Sequence, residues 1–149
     1  MKIKELMPHC CIGADVIVGF PGESEACFLE TFNFLKDLPL SYLHVFTYSE
    51  RNKTLANEMQ DVIPLQIRKE RSRQLRSLSL KKRRHFYEEC LQSERPVLFE
   101  SKVKGSMLEG WTDNYVKVVA PFDESLINQI VNARLVDIDE DGRVLTEIF

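Results

Sequence analysis

ADVIVGFPGESE, residues 14–25, is the stretch that decides how this chain folds. Ala14, Val16, Ile17 and Val18 make a short, mostly β-branched apolar run, the composition of a strand buried on both faces. Gly19-Phe20-Pro21-Gly22 then stops the strand, because proline lacks a main-chain donor and glycine permits backbone shapes closed to other residues. Ser24 is placed to cap a following helix, and Glu23 and Glu25 set negative charge beside its positive end. Strand, glycine turn and capped helix open a βαβ unit, whose ligands bind at the rim beyond the carboxyl ends of the strands. The search for function therefore starts at residues 19–23.

Downstream, Phe28, Phe32 and Leu35 fall at i, i+4 and i+7, the apolar stripe of a helix lying on a sheet. Asp37-Leu38-Pro39 ends that helix, and Leu43, Val45 and Phe46 predict a second strand running into Thr47-Tyr48-Ser49. The intervening helix makes the crossover parallel and right-handed. Both strand ends then face one rim, which brings residues 19–23 near residues 49–51. Two parallel strands and one helix leave both sheet edges uncovered, so a larger barrel or sheet is expected, much of it outside these residues. Upstream, residues 1–12 (MKIKELMPHCCI) read as the tail of a helix that Pro8 ends, half an element that implies chain before it.

Residues 51–63 are an irregular loop closed by Pro64. From Leu65 to about Ser93 neither glycine nor proline intervenes, which predicts one helix roughly 40 Å long at ~1.5 Å per residue. Its apolar positions, Leu75, Leu78, Phe86 and Leu91, are sparse, and Arg68, Lys69, Arg71, Arg73, Arg76, Lys81, Lys82, Arg83 and Arg84 spread charge around most faces. Two readings stand: a solvated connector, or a basic surface for phosphate backbone. From Arg95 onward short strands alternate with polar turns. Residues 96–100, 107–111, 115–119, 130–138 and 144–148 predict five strands, with turns at Lys104-Gly105, Asp113-Asn114 and Asp141-Gly142. That is the scale of a small closed barrel of the OB type.

The chain has 149 residues, 44% hydrophobic and 29% charged, which is ordinary for a soluble protein. Its net charge of −3 conceals −4 over residues 1–64, +6 over 65–92 and −5 over 93–149. A basic segment thus lies between two acidic ones. The apolar runs are too short to span a membrane and no signal-peptide core opens the chain, so a cytoplasmic protein is expected. The four cysteines, at 10, 11, 27 and 90, lack disulfide-scaffold spacing, which fits a reducing compartment.

IGADVIVGFPGESE, then YLHVFTYSERNKTLA, a basic helix and a terminal barrel together resemble the C-terminal part of a radical-SAM tRNA methylthiotransferase. The similarity is greatest to the MtaB-type subgroup, which acts on threonylcarbamoyladenosine beside the anticodon. The resemblance implies an α/β plus all-β chain. Residues 1–63 would be the last part of a radical-SAM (β/α) barrel, 64–93 a basic connector helix, and 94–149 a five-stranded TRAM domain that contacts tRNA. It also implies S-adenosylmethionine as methyl donor and radical source, and two [4Fe–4S] clusters in the full-length enzyme. One departure stands out. The CxxxCxxC motif that ligates the radical-SAM cluster is absent, and adjacent Cys10-Cys11 with isolated Cys27 and Cys90 cannot replace it. His9-Cys10-Cys11 also lacks the spaced ligand pairs of a structural metal site. The expectation is a fragment without its reactive centre, partnered by tRNA and by the N-terminal part of the same enzyme.

By the same resemblance Ile17, Val18 and Gly19 would line the pocket for the cofactor's adenine, with simple barrel core as the alternative for Ile17 and Val18. Glu23 would be a rim ligand or a helix N-terminal charge. Ser49 and Arg51, with Thr54 and Ala56, match the family's YSxRxxT stretch. Arg51 offers a planar fork for a carboxylate or phosphate, or an ion pair to Glu50. Lys53 stands where many relatives have glycine, and lysine resists positive φ. For tRNA the candidates are Arg73, Arg76, Lys82, Arg83 and Arg84, plus Trp111 and Tyr115 as a stacking platform or as barrel core. Two further readings remain beside this one: a stand-alone RNA-binding module, and the methylthiotransferase subgroup that acts on a ribosomal protein.

Overall fold

A computed structural model describes residues 2–149, with side chains for all of these but 101–104. The chain divides into two units, residues 12–83 and residues 2–11 with 84–149. Among the described residues no helix is long and apolar enough to cross a membrane.

In the first unit β1 (Gly13–Val18) and β2 (Tyr42–Thr47) pair in parallel, in register from Gly13 opposite Tyr42 to Val18 opposite Thr47. After the short first helix α1 (Lys2–Leu6), helix α2 (Glu25–Asp37) makes the crossover, and the Ser24 hydroxyl accepts the Cys27 N–H at 3.1 Å as the predicted cap. Phe28 and Leu35 bury the helix stripe against Val18 and Leu43. The sheet is covered on one face only. Ile17 and Phe46, directly opposite each other, lie on the other face, 58% and 53% exposed.

Residues 51–63 contain one short helical turn, α3 (Leu55–Glu58), introduced by a Thr54 hydroxyl that donates to the Arg51 carbonyl at 2.8 Å. Lys53 adopts φ 63°, so this loop holds the left-handed geometry without a glycine.

Helix α4 (Leu65–Cys90) differs from a solvated connector. Arg68, Arg71, Ser72, Leu75, Leu78 and Ser79 form a continuous buried stripe at helical spacing, so polar and charged residues occupy positions usually held by aliphatics. The reason lies in the partner surface, the outer edge of β2. Ser79 Oγ accepts the Leu43 N–H at 2.8 Å and donates to the Leu43 carbonyl at 2.9 Å, satisfying both main-chain groups of one strand residue. Arg76 donates to the Val45 carbonyl and Arg68 to that of Tyr48, each at 3.2 Å. The β2 edge, expected to be bare, is thereby closed in part by side chains of a helix. Among the described residues β1 pairs only with β2.

The second unit is a closed barrel of five strands: β3 (Glu94–Lys104), β4 (Met107–Thr112), β5 (Lys117–Pro121), β6 (Ile130–Ile138) and β7 (Val144–Ile148). Their order around the barrel is β3-β4-β5-β7-β6, and only the β5–β7 pair is parallel. Val97, Phe99, Leu108, Val116, Val118, Ala133, Leu135 and Val144 fill it, with Phe86, Tyr87 and Cys90 from the last turns of α4 closing one side. Gly110 is required where β4 crosses β3, since a Cβ there would stand 2.8 Å from the Leu98 carbonyl oxygen. β5 starts at Lys117, two residues later than the sequence predicts, because Tyr115 takes φ 62° and belongs to the turn.

Two outcomes follow. Replacing Ser79 by Ala leaves two buried main-chain groups of Leu43 without partners and should destabilise residues 12–83 by about 1–3 kcal/mol in chemical denaturation, with early exchange of the Leu43 amide. In the wild-type chain, amide exchange should be slower at residues 116–119 than at 16–18, since a closed barrel has no free edge while β1 has one. Equal protection at the two sites would contradict the second expectation.

Candidate cofactor rim and nucleic-acid interface

The turn after β1 is built around a buried carboxylate. Glu23 Oε2 accepts the Gly19 N–H at 2.8 Å and the Arg71 Nη1–H at 2.7 Å, and Arg71 Nη1 also reaches the Glu23 carbonyl at 2.7 Å. Both side chains of the pair are 5% exposed. Burial alone would lower the basicity of Arg71; hydrogen bonds to Glu25 and Glu23 outweigh it and leave the guanidinium more basic than usual. Gly19 takes φ 81° and lies so close to Arg68 that an added Cβ would meet its Cγ at 2.5 Å. Helix α4 thus grips the glycine turn from behind with two arginines.

This geometry sorts the residues expected to hold a cofactor. Ile17 lies on the open sheet face beside Phe46, whereas Val18 alternates to the opposite side and is 1% exposed in the core. The Val18 side chain therefore packs the helices and lines no rim. Glu23 faces inward, its carboxylate committed to Gly19 and Arg71, so it shapes the turn. Ser49 and Arg51 are exposed. Glu50, considered as a partner for Arg51, pairs instead with Arg68 at 2.6 Å, and this hydrogen bond holds the Glu50 carboxyl below its usual range. Tyr48, between these residues and β2, has a buried hydroxyl with no hydrogen-bond partner among the described residues.

The basic helix is sorted in the same way. Lys82 directs its ammonium to the Lys36 and Leu38 carbonyls at 2.9 and 2.7 Å, satisfying the end of α2, and burial lowers its basicity. That assignment removes it from the residues free to meet phosphate. Arg83 lies 5.9 Å over the Tyr42 ring, and Arg84 pairs with Glu88 at 2.9 Å. Arg73 holds Glu70 at 2.7 Å, and its hydrogen bond, then that of Gln74, pull the Glu70 carboxyl down to about 2. Lys69 belongs to the basic helix read from the sequence but not to its expected tRNA contacts. With Thr47, Ser72, Arg73, Arg76 and Ser77 it lines an open groove of about 400 Å3 beside the end of β2. Leu80 also lines it, Arg73 there holds Glu70, and Arg76 is bonded to Ser72 and the Val45 carbonyl; the three cationic heads at one groove suit a phosphodiester. The signal was present as Lys69, Arg73, Arg76 and Ser77 recurring at three- and four-residue intervals, diluted by charges on the other faces.

In the second unit Trp111 and Tyr115 serve different surfaces. Trp111 stands in an outward cross-strand row with Lys117, Leu98 and Ile130, and the Lys117 ammonium is 5.9 Å from its ring. Tyr115, 72% exposed, lines a separate depression with His9, Arg95 and Asn114. Neither ring belongs to the barrel core. Among the described residues no group of three or more His, Cys, Asp or Glu side chains is arranged to hold a metal ion.

No protein-family model matches the chain. It is 39% identical over 138 residues, 90% of its length, to the threonylcarbamoyladenosine tRNA methylthiotransferase MtaB of Bacillus subtilis. To the protein of the same name in Aquifex aeolicus it is 52% identical over 117 residues, 78% of the chain. A tRNA-2-methylthio-N(6)-dimethylallyladenosine synthase of Symbiobacterium thermophilum is 36% identical over 135 residues, 89% of the chain. The chain spans 31%, 27% and 29% of these three relatives, respectively. With 90% of its length matched at 39% identity and less than a third of that relative covered, the chain is a homologue of one part of the tRNA methylthiotransferases.

Proposed function

We propose that this chain is the C-terminal portion of a cytoplasmic tRNA methylthiotransferase, which adds a methylthio group to N6-threonylcarbamoyladenosine beside the anticodon. The observation that carries the reading is the greater identity to the two relatives named for that substrate than to the dimethylallyladenosine enzyme. On this reading β1, α2 and β2 are the closing elements of a larger radical-SAM barrel that continues from the free edge of β1, and residues 94–149 are its TRAM domain.

The residues of this chain do not fit an iron–sulfur cluster: the CxxxCxxC spacing is absent, and among the described residues no group of three or more His, Cys, Asp or Glu side chains could hold a metal ion. Both [4Fe–4S] clusters and the chemistry they support are therefore assigned to the N-terminal part of the enzyme. For S-adenosylmethionine the fit is better. Ile17 and Phe46 offer adjacent exposed apolar side chains, and Ser49 and Arg51 are exposed with side chains that have no hydrogen-bond or ion-pair partner among the described residues. The cofactor, when bound, supplies the methyl group and the radical source. This chain's part is to seat it, with Arg51 facing a carboxylate and Glu23–Arg71 holding the turn in shape from behind. Transfer RNA would meet the groove of Lys69, Arg73 and Arg76 through its phosphates, with Arg83 and Arg84 further along the helix. A stand-alone RNA-binding module is the second reading, favoured by a barrel that closes on itself.

Nucleoside analysis of tRNA from a strain lacking this gene should show N6-threonylcarbamoyladenosine without its methylthio form; an unchanged profile would sink the enzymatic reading. For the groove, changing Lys69, Arg73 and Arg76 to Gln should lower the salt slope of tRNA binding by roughly 0.7–0.9 per lost contact and weaken all RNAs alike. Lys82→Gln should leave that slope unchanged and instead loosen the end of α2.

A further inference from the structure

The turn between β4 and β5 holds a bulky residue in the left-handed region at its exposed tip. Tyr115 has φ 62°, a conformation that glycine or asparagine adopts far more readily, and its side chain is 72% exposed. The scaffold beneath leaves it little freedom. Thr112 Oγ1 donates to Asn114 Oδ1 at 2.7 Å and accepts the Val116 N–H at 2.8 Å, while the Tyr115 N–H donates to the Thr112 carbonyl at 3.1 Å. Asn114 Nδ2 in turn donates to the His9 carbonyl at 2.9 Å, and Thr112 and Asn114 are both buried. A fully bonded turn thus holds strained a ring that stays out of the barrel core. Lys53, Asp61, Gln92 and Asn128 share the left-handed φ, but Tyr115 alone among these five sets an aromatic ring there.

Beside the ring lies an open depression of about 360 Å3, lined among others by Pro8, His9, Cys10, Arg95 and Asn114. The Arg95 side chain is 13% exposed and reaches Asp113 at 3.2 Å, while its buried Nε has no hydrogen-bond partner among the described residues. Residues 93–149 carry a net charge of −5, so phosphate attraction does not lead a ligand here. What remains is an exposed aromatic face, a planar guanidinium and the His9 imidazole around a hollow of ligand size. This set recognises a flat heterocycle by stacking and edge hydrogen bonds.

We propose that Tyr115 and Arg95 frame a receptor for one unstacked nucleobase of RNA. The proposal rests on the reading of this chain as part of a tRNA-binding enzyme and adds to it a single-strand contact separate from the phosphate groove. A base inside a duplex has both faces covered by its neighbours, so the receptor takes bases from loops or single strands. The bonded backbone fixes the point and direction from which the side chain leaves the turn, which limits the backbone entropy lost on binding.

The test compares binding of the 149-residue chain to a single-stranded oligoadenylate and to a blunt, fully paired two-strand RNA duplex that has no loop, for wild type, Tyr115→Gly and Tyr115→Phe. Glycine suits φ 62°, so Tyr115→Gly should keep or raise the melting temperature while single-strand affinity falls by roughly 5- to 150-fold, the range for loss of one stacked base. Its salt slope and its duplex binding should not change, and Tyr115→Phe should retain single-strand affinity. A residue with only a structural role would not give lost binding together with undiminished stability. Unchanged oligoadenylate affinity in Tyr115→Gly would overturn the receptor and leave the tRNA reading standing. Failure of the wild-type chain to bind either RNA would overturn the receptor along with the tRNA contact on which it rests.

Discussion

The first unit depends on how the outer edge of β2 is satisfied. A two-stranded parallel sheet exposes two rows of unpaired main-chain groups and is too small to stand by itself. Helix α4 satisfies part of one of those rows by offering side-chain donors and acceptors where another strand would have stood, with Ser79 bonded to both polar groups of Leu43. This explains a stripe of arginine and serine in the face that packs against apolar Val18, Phe28 and Leu43. Leucine at those positions would bury area yet leave strand carbonyls unpaired, and each such orphan costs more than a typical hydrogen bond returns.

The same helix fixes the shape of the candidate cofactor rim. A carboxylate as deeply buried as that of Glu23 persists only when it is paired and hydrogen-bonded, and Arg71 with the Gly19 N–H supplies both. The glycine turn, its buried acid and the helix behind it therefore form one body. Any ligand at the rim meets a surface whose backbone is held in place by residues that never touch it, a division of labour common where geometry must be kept within fractions of an ångström.

The charge pattern of α4 acquires a different meaning once its partners are known. The segment from 65 to 92 carries +6, yet Arg68 and Arg71 are internal, Lys82 closes the end of α2 and Arg84 pairs within the helix. Lys69, Arg73 and Arg76 line an open groove, Arg73 while paired with Glu70 and Arg76 while bonded to Ser72 and the Val45 carbonyl. Net charge steers a polyanion toward such a surface, but the contacts it makes depend on which ammonium and guanidinium groups remain available.

Local chemistry was enough to read the elements. Alternation and β-branching placed β1, β2 and the barrel strands, Ser24 announced its cap, and glycine–aspartate turns marked the hairpins, since each of these is decided by neighbours within a few residues. The crossover of β1 and β2 followed from handedness rules, and the GFPGE and YSER segments pointed to the rim. Partnership across distance was not legible. Ser79 lies 36 residues from Leu43 and Arg71 lies 48 from Glu23, and a charged residue on a helix looks the same in sequence whether it meets water or a buried acid. Likewise Tyr115 read as the first residue of a strand until the bonds of Thr112 and Asn114 placed it in the turn. Local propensity speaks for the short range, and only the packed chain decides which polar groups are left facing solvent, because burial is a property of surfaces brought together.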